Sequence, residues 1–235
     1  IPTVRIGYQP ASSILWVGKS KGYYEKEFEK LGVKVEWDLF LSGPLISEAA
    51  ASDRVDIFAI GNMPPLAAKA GGIDMILFSK AAFNPATNAV LVRPQSSIRF
   101  ISDLKGKRLA AQVGSSVHYF LYQLLSSAGL SMDDVKLVNL NAPDQAAALE
   151  SRAVDAVVSW MPYRAQLEKE KKVRVLVDSG KFSGSYSFYG ARGAFAKEHA
   201  QWMKAFLRAT QKTNYYVKKH PEETVKLLQK QNRFS

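Results

Sequence analysis

Short apolar runs with the length of a buried strand alternate along this chain with segments whose apolar residues recur every three or four positions. Helical spacing at Ile14, Leu15 and Val17, for example, follows an apolar run at residues 4–8. Regular strand–helix succession predicts an α/β fold with mostly parallel sheets, in which ligands bind at the carboxyl ends of the strands. Strands are expected at residues 4–8, 33–40, 57–60, 73–79, 88–93, 109–113, 135–140, 156–160, 173–177 and 187–192, with mainly helix after residue 195.

The same order of features occurs twice. Val55-Asp56, a buried strand and a Met-Pro pair in the first half correspond to Val154-Asp155, a buried strand and a Met-Pro pair in the second half. We therefore expect two similar lobes with a cleft between them, each a mixed sheet flanked by helices. The chain should cross between the lobes at residues 84–90 and return at 188–192, which makes these two crossings the candidate hinge. The predicted division is 1–87 and 191–235 for lobe 1, and 88–190 for lobe 2.

The stretch from Gly106 to Phe120 reads as a strand, a tight turn at Gly114 and a helix that starts at two serines, Ser115 and Ser116. The first amides of a helix lack partners within the helix, and the helix dipole places partial positive charge there. Amides and hydroxyls together would suit an anion. The alternative is an ordinary N-cap, in which one serine satisfies the helix and nothing binds.

Charge and composition narrow the function classes. The formal net charge is +11, yet the 32 Lys and Arg residues are scattered and no helix-turn-helix, zinc-finger or RNA-binding strand motif accompanies them, so we expect no nucleic-acid partner. The absence of cysteine excludes thiolate catalysis, and three separated histidines give no metal-binding pattern. No apolar run approaches the roughly 20 residues of a membrane-spanning helix. The chain begins at Ile1 without a methionine or a leader, which leaves a removed targeting segment or an engineered start.

Several motifs resemble, in order, those of the periplasmic solute-binding proteins of ABC importers for alkanesulfonates, whose relatives bind taurine, nitrate or thiamine precursors. The resemblance covers nearly the whole chain and implies a two-lobe, type II periplasmic binding protein fold, a membrane permease as partner, no cofactor, a monomer, and a periplasmic or cell-envelope-anchored location. Family members typically continue beyond the position of Ser235. The motifs are Gly7-Tyr8-Gln9, Ser42-Gly43-Pro44, Gly61-Asn62-Met63-Pro64-Pro65, the segment 103–108, Gly114-Ser115-Ser116-Val117-His118-Tyr119 and Trp160-Met161-Pro162-Tyr163.

The same resemblance implies a set of ligand-lining positions and no catalytic or metal-binding residues. Among these positions, Trp160 would give a flat apolar wall, His118 could equally bond a loop carbonyl, Tyr163 is better explained as structural, and Gly43 has an alternative role in its turn. Asn62 stands where the family often carries an acidic residue, which disfavours an amine-bearing ligand such as taurine. The positions are Gln9, Ser13, Ser42, Gly43, Asn62, Met63, Ser115, Ser116, His118, Trp160 and Tyr163.

A sulfonate is charged at every physiological pH and offers three oxygens, so amide and hydroxyl donors suit it without lysine or arginine. We expect a binding protein for an organic sulfonate with an alkyl or aryl tail. Taurine, nitrate or a thiamine precursor is the alternative ligand, and the sensing domain of a transcription regulator is the alternative role. An enzyme is disfavoured because no Ser-His-acid order, nucleophile elbow or phosphate loop is present.

Overall fold

Two five-stranded sheets with helices on both faces make up the structure, a computed structural model that describes residues 1–182 and 185–231. The predicted α/β fold is confirmed, and every predicted strand is present to within a few residues. The strands are β1 (Thr3–Tyr8), β2 (Lys34–Leu39), β3 (Ile57–Gly61), β4 (Met75–Asn84), β5 (Asn88–Val92), β6 (Arg108–Ala111), β7 (Lys136–Asn139), β8 (Ala156–Trp160), β9 (Arg174–Asp178) and β10 (Ser185–Arg192).

Helices follow most of the strands, as the spacing of apolar residues predicts. Short 3₁₀ turns occur at Ile101–Leu104, Met132–Asp134 and Ser179–Lys181. Among the described residues, no helix has both the length and the apolar character needed to cross a bilayer. The helices are α1 (Ser13–Ser20), α2 (Tyr23–Glu29), α3 (Gly43–Ala51), α4 (Met63–Ala70), α5 (Ser116–Ser127), α6 (Ala142–Glu150), α7 (Tyr163–Lys169), α8 (Gly193–Glu198), α9 (Ala200–Lys219) and α10 (Pro221–Gln231).

The two sheets have the same topology, which explains the repeat in the sequence. The strand order is β2-β1-β3-β10-β4 in the first sheet and β7-β6-β8-β5-β9 in the second. In each sheet the three strands at one side are parallel, and the fourth, β10 or β5, runs antiparallel to both of its neighbours. Matching strand order brings the carboxyl ends of β1, β3, β6 and β8, and the helices that follow them, to corresponding positions in the two lobes.

The crossings between the lobes are only partly as predicted. The first lies at residues 85–87, between β4 in the first sheet and β5 in the second, within the predicted segment 84–90. The second is earlier than predicted, because β10 pairs with β3 and β4 along its whole length, including residues 188–192. These pairings join residues more than 100 positions apart, which a local pattern cannot reveal. The return therefore precedes Ser185; the rest of the predicted division into 1–87, 88–190 and 191–235 stays a prediction.

Both faces of each sheet are covered by apolar side chains. On one face of the first sheet, Leu15 of α1, Phe28 of α2 and Phe206 of α9 pack against β1 and β3. On the other face α3 covers β3. In the second sheet, α5 covers one face and α6 with α7 cover the other. The terminal helices α8 and α9 therefore belong to lobe 1, as the sequence predicts.

A charged clamp that ties two parallel strands together recurs in both lobes. Asp56, just before β3, accepts hydrogen bonds from the backbone amide and the guanidinium of Arg5 in β1. Asp155, just before β8, accepts the same two kinds of bond from Arg108 in β6. Asp56 is also bonded by Arg192. Burial of the Asp56 carboxylate opposes ionisation, but these bonds outweigh it and hold its pKa below the usual value.

The two clamps give a matched pair of substitutions. We expect Asp56→Asn to lower the free energy of unfolding by about 3–5 kcal/mol, because it removes the charge of the buried carboxylate that pairs with Arg5 and Arg192, although Arg192 keeps its ion pair with Asp53. Asp155→Asn should cost less, since the Asp155 side chain is 24 % exposed against 3 % for Asp56. Urea unfolding of both variants measures the difference, and equal losses would contradict this account of the repeat.

Candidate ligand-binding site

A cavity of about 430 Å³ lies between the lobes, at the ends where the central strands lead into helices. Lobe 1 contributes the turn between β1 and α1, the end of β3 and parts of β4 and β10. Lobe 2 contributes the first turn of α5 and the residues that join β8 to α7. The polar wall residues are Gln9, Ser12, Ser13, Thr87, Asn88, Ser115, Ser116, Tyr186, Ser187 and Tyr189.

The described wall of this cavity contains no Asp, Glu, Lys, Arg or His. Its polar atoms belong to amides, hydroxyls and the backbone, and its apolar part includes Ile14, Trp160 and Met161. A charge on a ligand here would therefore meet dipoles and hydrogen-bond donors rather than a counter-ion. Mostly apolar walls with a few polar anchors are typical of small-molecule sites.

The backbone N–H donors expected at the start of α5 are present, and no described residue accepts a hydrogen bond from them. The N-cap residue Ser115 has extended backbone angles, and its side chain does not bond the helix amides. The amides of Ser116 and Val117 have no acceptor among the described residues, although both residues line the cavity. These two amides, together with the partial positive charge of the helix end, form an anion-binding group made of backbone alone.

The two serine hydroxyls behave differently from the expectation that they bind the anion. Ser115 Oγ donates to the backbone oxygen of Gln112 at 2.6 Å, and Ser116 Oγ donates to Asn62 Oδ1 at 2.7 Å. Each hydroxyl has a single proton, so neither can donate to a ligand while it keeps these partners. The backbone amides, rather than the hydroxyls, are the donors left for an anion.

Gln9 is held at the cavity wall by three hydrogen bonds, one to β3 and two to residues that follow it in the chain. Its amide nitrogen Nε2 donates to the oxygen of Ala59 at 3.1 Å, its backbone N–H donates to Ser12 Oγ, and its backbone oxygen accepts from the indole of Trp16. A side-chain amide has two hydrogens, and the bond to Ala59 uses one of them. The second has no acceptor among the described residues, and its contact with a ligand stays a prediction.

Trp160 forms part of the apolar wall at the end of β8. Its ring packs edge-on against Tyr163, with ring centroids 5.8 Å apart and planes at 87°. Tyr163 is buried behind Trp160 in the core of lobe 2, and burial raises the pKa of its phenol. The tryptophan therefore faces the cavity while the tyrosine supports it, which agrees with the structural interpretation of Tyr163.

Six of the eleven positions implied by the family resemblance line the cavity. One of them, Gly43, also has a structural requirement, because a Cβ there would lie 2.4 Å from Pro64. Contact of any of these residues with a ligand stays a prediction. The six are Gln9, Ser13, Gly43, Ser115, Ser116 and Trp160.

The other five positions lie outside the described cavity wall. The hydroxyl of Ser42 accepts a hydrogen bond from Gln112 and is buried, and Asn62 is bonded to Ser116. His118 accepts the backbone N–H of Gly114 at Nδ1 rather than bonding a loop carbonyl. Tyr163 lies behind Trp160, and Met63 begins α4 without reaching the cavity. For these residues the motif marks the correct turn, but the side chain serves the turn itself or the contact between lobes.

Six polar wall residues were missed by the sequence interpretation: Ser12, Thr87, Asn88, Tyr186, Ser187 and Tyr189. Thr87 and Asn88 lie at the first crossing, and Tyr186 and Ser187 lie in β10, just after the second. Their signal was available, since crossing segments of a two-lobe protein border its cleft. For Tyr186 and Ser187 it was lost because the second crossing was predicted too late in the chain, whereas Thr87 and Asn88 lie within the predicted first crossing, which was interpreted only as a hinge.

The half-buried histidine next to this site, His118, gives a pH-dependent prediction. Burial lowers the pKa of His118, so below about pH 6.5 the unfolded chain binds a proton that the folded chain does not. Stability is therefore lost as the pH falls from about 6.5 through the lower folded pKa. His118→Asn should lose less stability than the wild type between about pH 7.5 and pH 5.5 in thermal unfolding. Parallel losses in the two proteins would contradict this assignment.

Comparison with known proteins agrees with the geometry. The family model described as NMT1/THI5 like matches residues 9–224. A putative aliphatic sulfonates-binding protein of Bacillus subtilis (strain 168) is 36% identical over 226 residues, which are 95% of this chain and 68% of the relative. A protein with the same description from Escherichia coli (strain K12) is 31% identical over 97% of this chain and 70% of the relative.

Among solved structures, the alkanesulfonate-binding protein SsuA from Xanthomonas axonopodis pv. citri, bound to MOPS, superposes with a TM-score of 0.90. It is 29% identical in sequence, and the match covers 97% of this chain and 78% of that one. The superposition shows that this chain has the two-lobe periplasmic binding protein fold that the sequence predicts. The family match, which spans most of the sequence, and the two curated relatives lead to one conclusion: the chain belongs to the NMT1/THI5-like family.

Proposed function

We propose that this chain is the solute-binding component of an ABC importer and captures an organic sulfonate anion in the cavity between its lobes. The observation that carries the proposal is the uncapped start of α5, whose free Ser116 and Val117 amides face a cavity with no charged side chain in its described wall. The names of the related sulfonate-binding proteins support it.

The chemistry of the cavity favours a sulfonate with a tail over the alternatives. Bare sulfate or nitrate would leave the wall formed by Trp160 and Met161 without a partner. The ammonium group of taurine would lose its hydration with no Asp or Glu in the described wall to replace it. A carboxylate has one oxygen fewer than a sulfonate, so it would satisfy fewer of the converging donors.

Binding rather than catalysis is part of the proposal. The two serines at the start of α5 donate to Gln112 and Asn62, and neither is bonded to His118, whose Nδ1 is engaged by Gly114. A serine nucleophile would need a base within hydrogen-bond reach. The proposal also includes delivery of the ligand to a membrane permease, an extracytoplasmic location, a monomeric chain and no nucleic-acid partner; the periplasmic relatives support the location.

Matched ligands test the substrate class. Butanesulfonate should raise the melting temperature and give a binding isotherm in calorimetry, while pentanoate, sulfate, nitrate and taurine should bind at least about tenfold more weakly, which is about 1.4 kcal/mol. Equal binding of sulfate and butanesulfonate would remove the role of the apolar wall. Preference for the carboxylate would contradict the proposed sulfonate site.

A pair of substitutions at one residue separates the amide from the hydroxyl. Ser116→Ala keeps the backbone N–H, whereas Ser116→Pro removes it; proline is tolerated in a first helical turn, and the extended angles of Ser115 suit a residue before proline. Loss of one hydrogen bond to a charged acceptor costs about 1.5–3 kcal/mol. Butanesulfonate affinity should therefore be at least about tenfold lower for the proline variant than for the alanine variant, with similar circular dichroism. Equal affinities would show that this amide does not hold the anion.

A further inference from the structure

Two side-chain hydrogen bonds join the lobes directly beside the proposed anion site. Gln112 Nε2, at the end of β6 in lobe 2, donates to Ser42 Oγ before α3 in lobe 1 at 2.6 Å. Ser116 Oγ, at the start of α5, donates to Asn62 Oδ1 before α4 at 2.7 Å. Both donors belong to lobe 2 and both acceptors to lobe 1, so these bonds can exist only while the lobes are together. We call the four residues the latch.

Gln112 links this contact to the anion-binding turn. Its side chain reaches across to Ser42, while its backbone oxygen accepts the hydroxyl of Ser115, the residue that begins α5. The side chains of Gln112 and Ser42 are almost fully buried, with 6% and 1% of their residue surfaces exposed. The other amide atom, Gln112 Oε1, is buried and has no hydrogen-bond partner among the described residues.

An unsatisfied buried amide oxygen is costly, and opening the lobes would return it to water. This cost offsets part of the stabilisation that the two bonds between the lobes provide, so the closed arrangement is favoured by a small margin. A contact balanced in this way can break and form again, unlike the Asp56 clamp, whose carboxylate is fully bonded within lobe 1. This balance suits a reversible closure.

The backbone of lobe 1 is shaped for the same contact. Gly61, at the end of β3, lies so close to α5 that a Cβ at this position would be 2.6 Å from Ser116 Oγ. Any other residue here would push Ser116 away from Asn62. Glycine is required here because there is no space for a Cβ. The backbone conformation does not require it, since Gly61 does not have a positive φ.

We propose that the latch formed by Ser42, Asn62, Gln112 and Ser116 holds the lobes closed around the free α5 amides before any ligand arrives. Gln112 and Asn62 are positioning residues: they lie outside the described cavity wall and act through the serines that flank it. The apparent affinity of a ligand that binds the closed state is proportional to the closed fraction of the protein. Loss of the latch therefore lowers this affinity by the factor by which the closed fraction falls.

Distances between the lobes test this without any ligand. The chain has no cysteine, so Glu48→Cys on α3 and Ser126→Cys on α5, both at exposed positions, can carry two spin labels. Double electron–electron resonance on the ligand-free protein should give one dominant short distance. Combining Gln112→Leu with Asn62→Ala should shift the distribution to longer distances.

Gln145 provides the matched control. It is a fully buried amide of lobe 2 whose oxygen also has no partner among the described residues, and the hydrogen bonds of its nitrogen go to Leu140 and Val158 of its own lobe. Gln145→Leu should lower the melting temperature and leave the distance between the lobes unchanged. A latch variant whose distances equal those of the unsubstituted labelled protein would overturn the proposal, and so would a Gln145 variant that opens the lobes equally. If the double variant does not fold, Ser42→Ala breaks the same bond with a smaller change.

The second readout, affinity for butanesulfonate, rests on the proposed function. Gln112→Leu and Ser42→Ala should each weaken binding about three- to tenfold, mainly through faster dissociation. The variant that combines Gln112→Leu with Ser42→Ala should bind no more weakly than the weaker-binding single variant, because both substitutions remove the same hydrogen bond. Unchanged affinity in both variants, or additive losses, would overturn the latch. A wild-type protein that binds no sulfonate would refute the proposed function instead, and the distances would still decide on the latch.

Discussion

The backbone amides at the start of α5 need a hydrogen-bond acceptor, and the described protein does not supply one. A side chain at the N-cap can satisfy these groups, but Ser115 directs its hydroxyl to the backbone oxygen of Gln112. The chain thus keeps two donors exposed to a cavity whose described wall has no charge of either sign. Unmet donors of this kind cost free energy when shielded from water, so the site is stabilised by whatever anion fills it.

The repeated topology is what gives this helix end its surroundings. Because β1, β3, β6 and β8 occupy equivalent places in the two sheets, the turns after them meet between the lobes. The Arg5–Asp56 and Arg108–Asp155 clamps fix the other ends of the same strands, far from the cavity. Rigid strand pairs therefore carry the turns, while the contact between the lobes is left to a few hydrogen bonds. Such a division allows one lobe to move against the other without loss of either sheet.

Local pattern was enough to predict the strands, the helices, the repeat and the start of a helix directly after Gly114-Ser115. The family resemblance, rather than local pattern, pointed to Gln9, just after β1, and to Trp160, the last residue of β8; both line the cavity, and their contact with a ligand stays a prediction. Local pattern could not show that the hydroxyl of Ser116 is used by Asn62, because that bond joins residues 54 positions apart. Nor could it show that β10 pairs entirely within the first sheet. Gln112 escaped notice for the same reason: alone, it is an ordinary polar residue at the end of a strand, and its partner is Ser42 in the other lobe.

The central claim is that backbone amides of α5 hold the sulfonate group. A crystal structure of the protein with butanesulfonate tests it most directly. We expect sulfonate oxygens within about 3.2 Å of the amide nitrogens of Ser116 and Val117, with the butyl chain against Trp160. A sulfonate bound to surface lysines, or one in the cavity with its oxygens turned away from α5, would contradict the account.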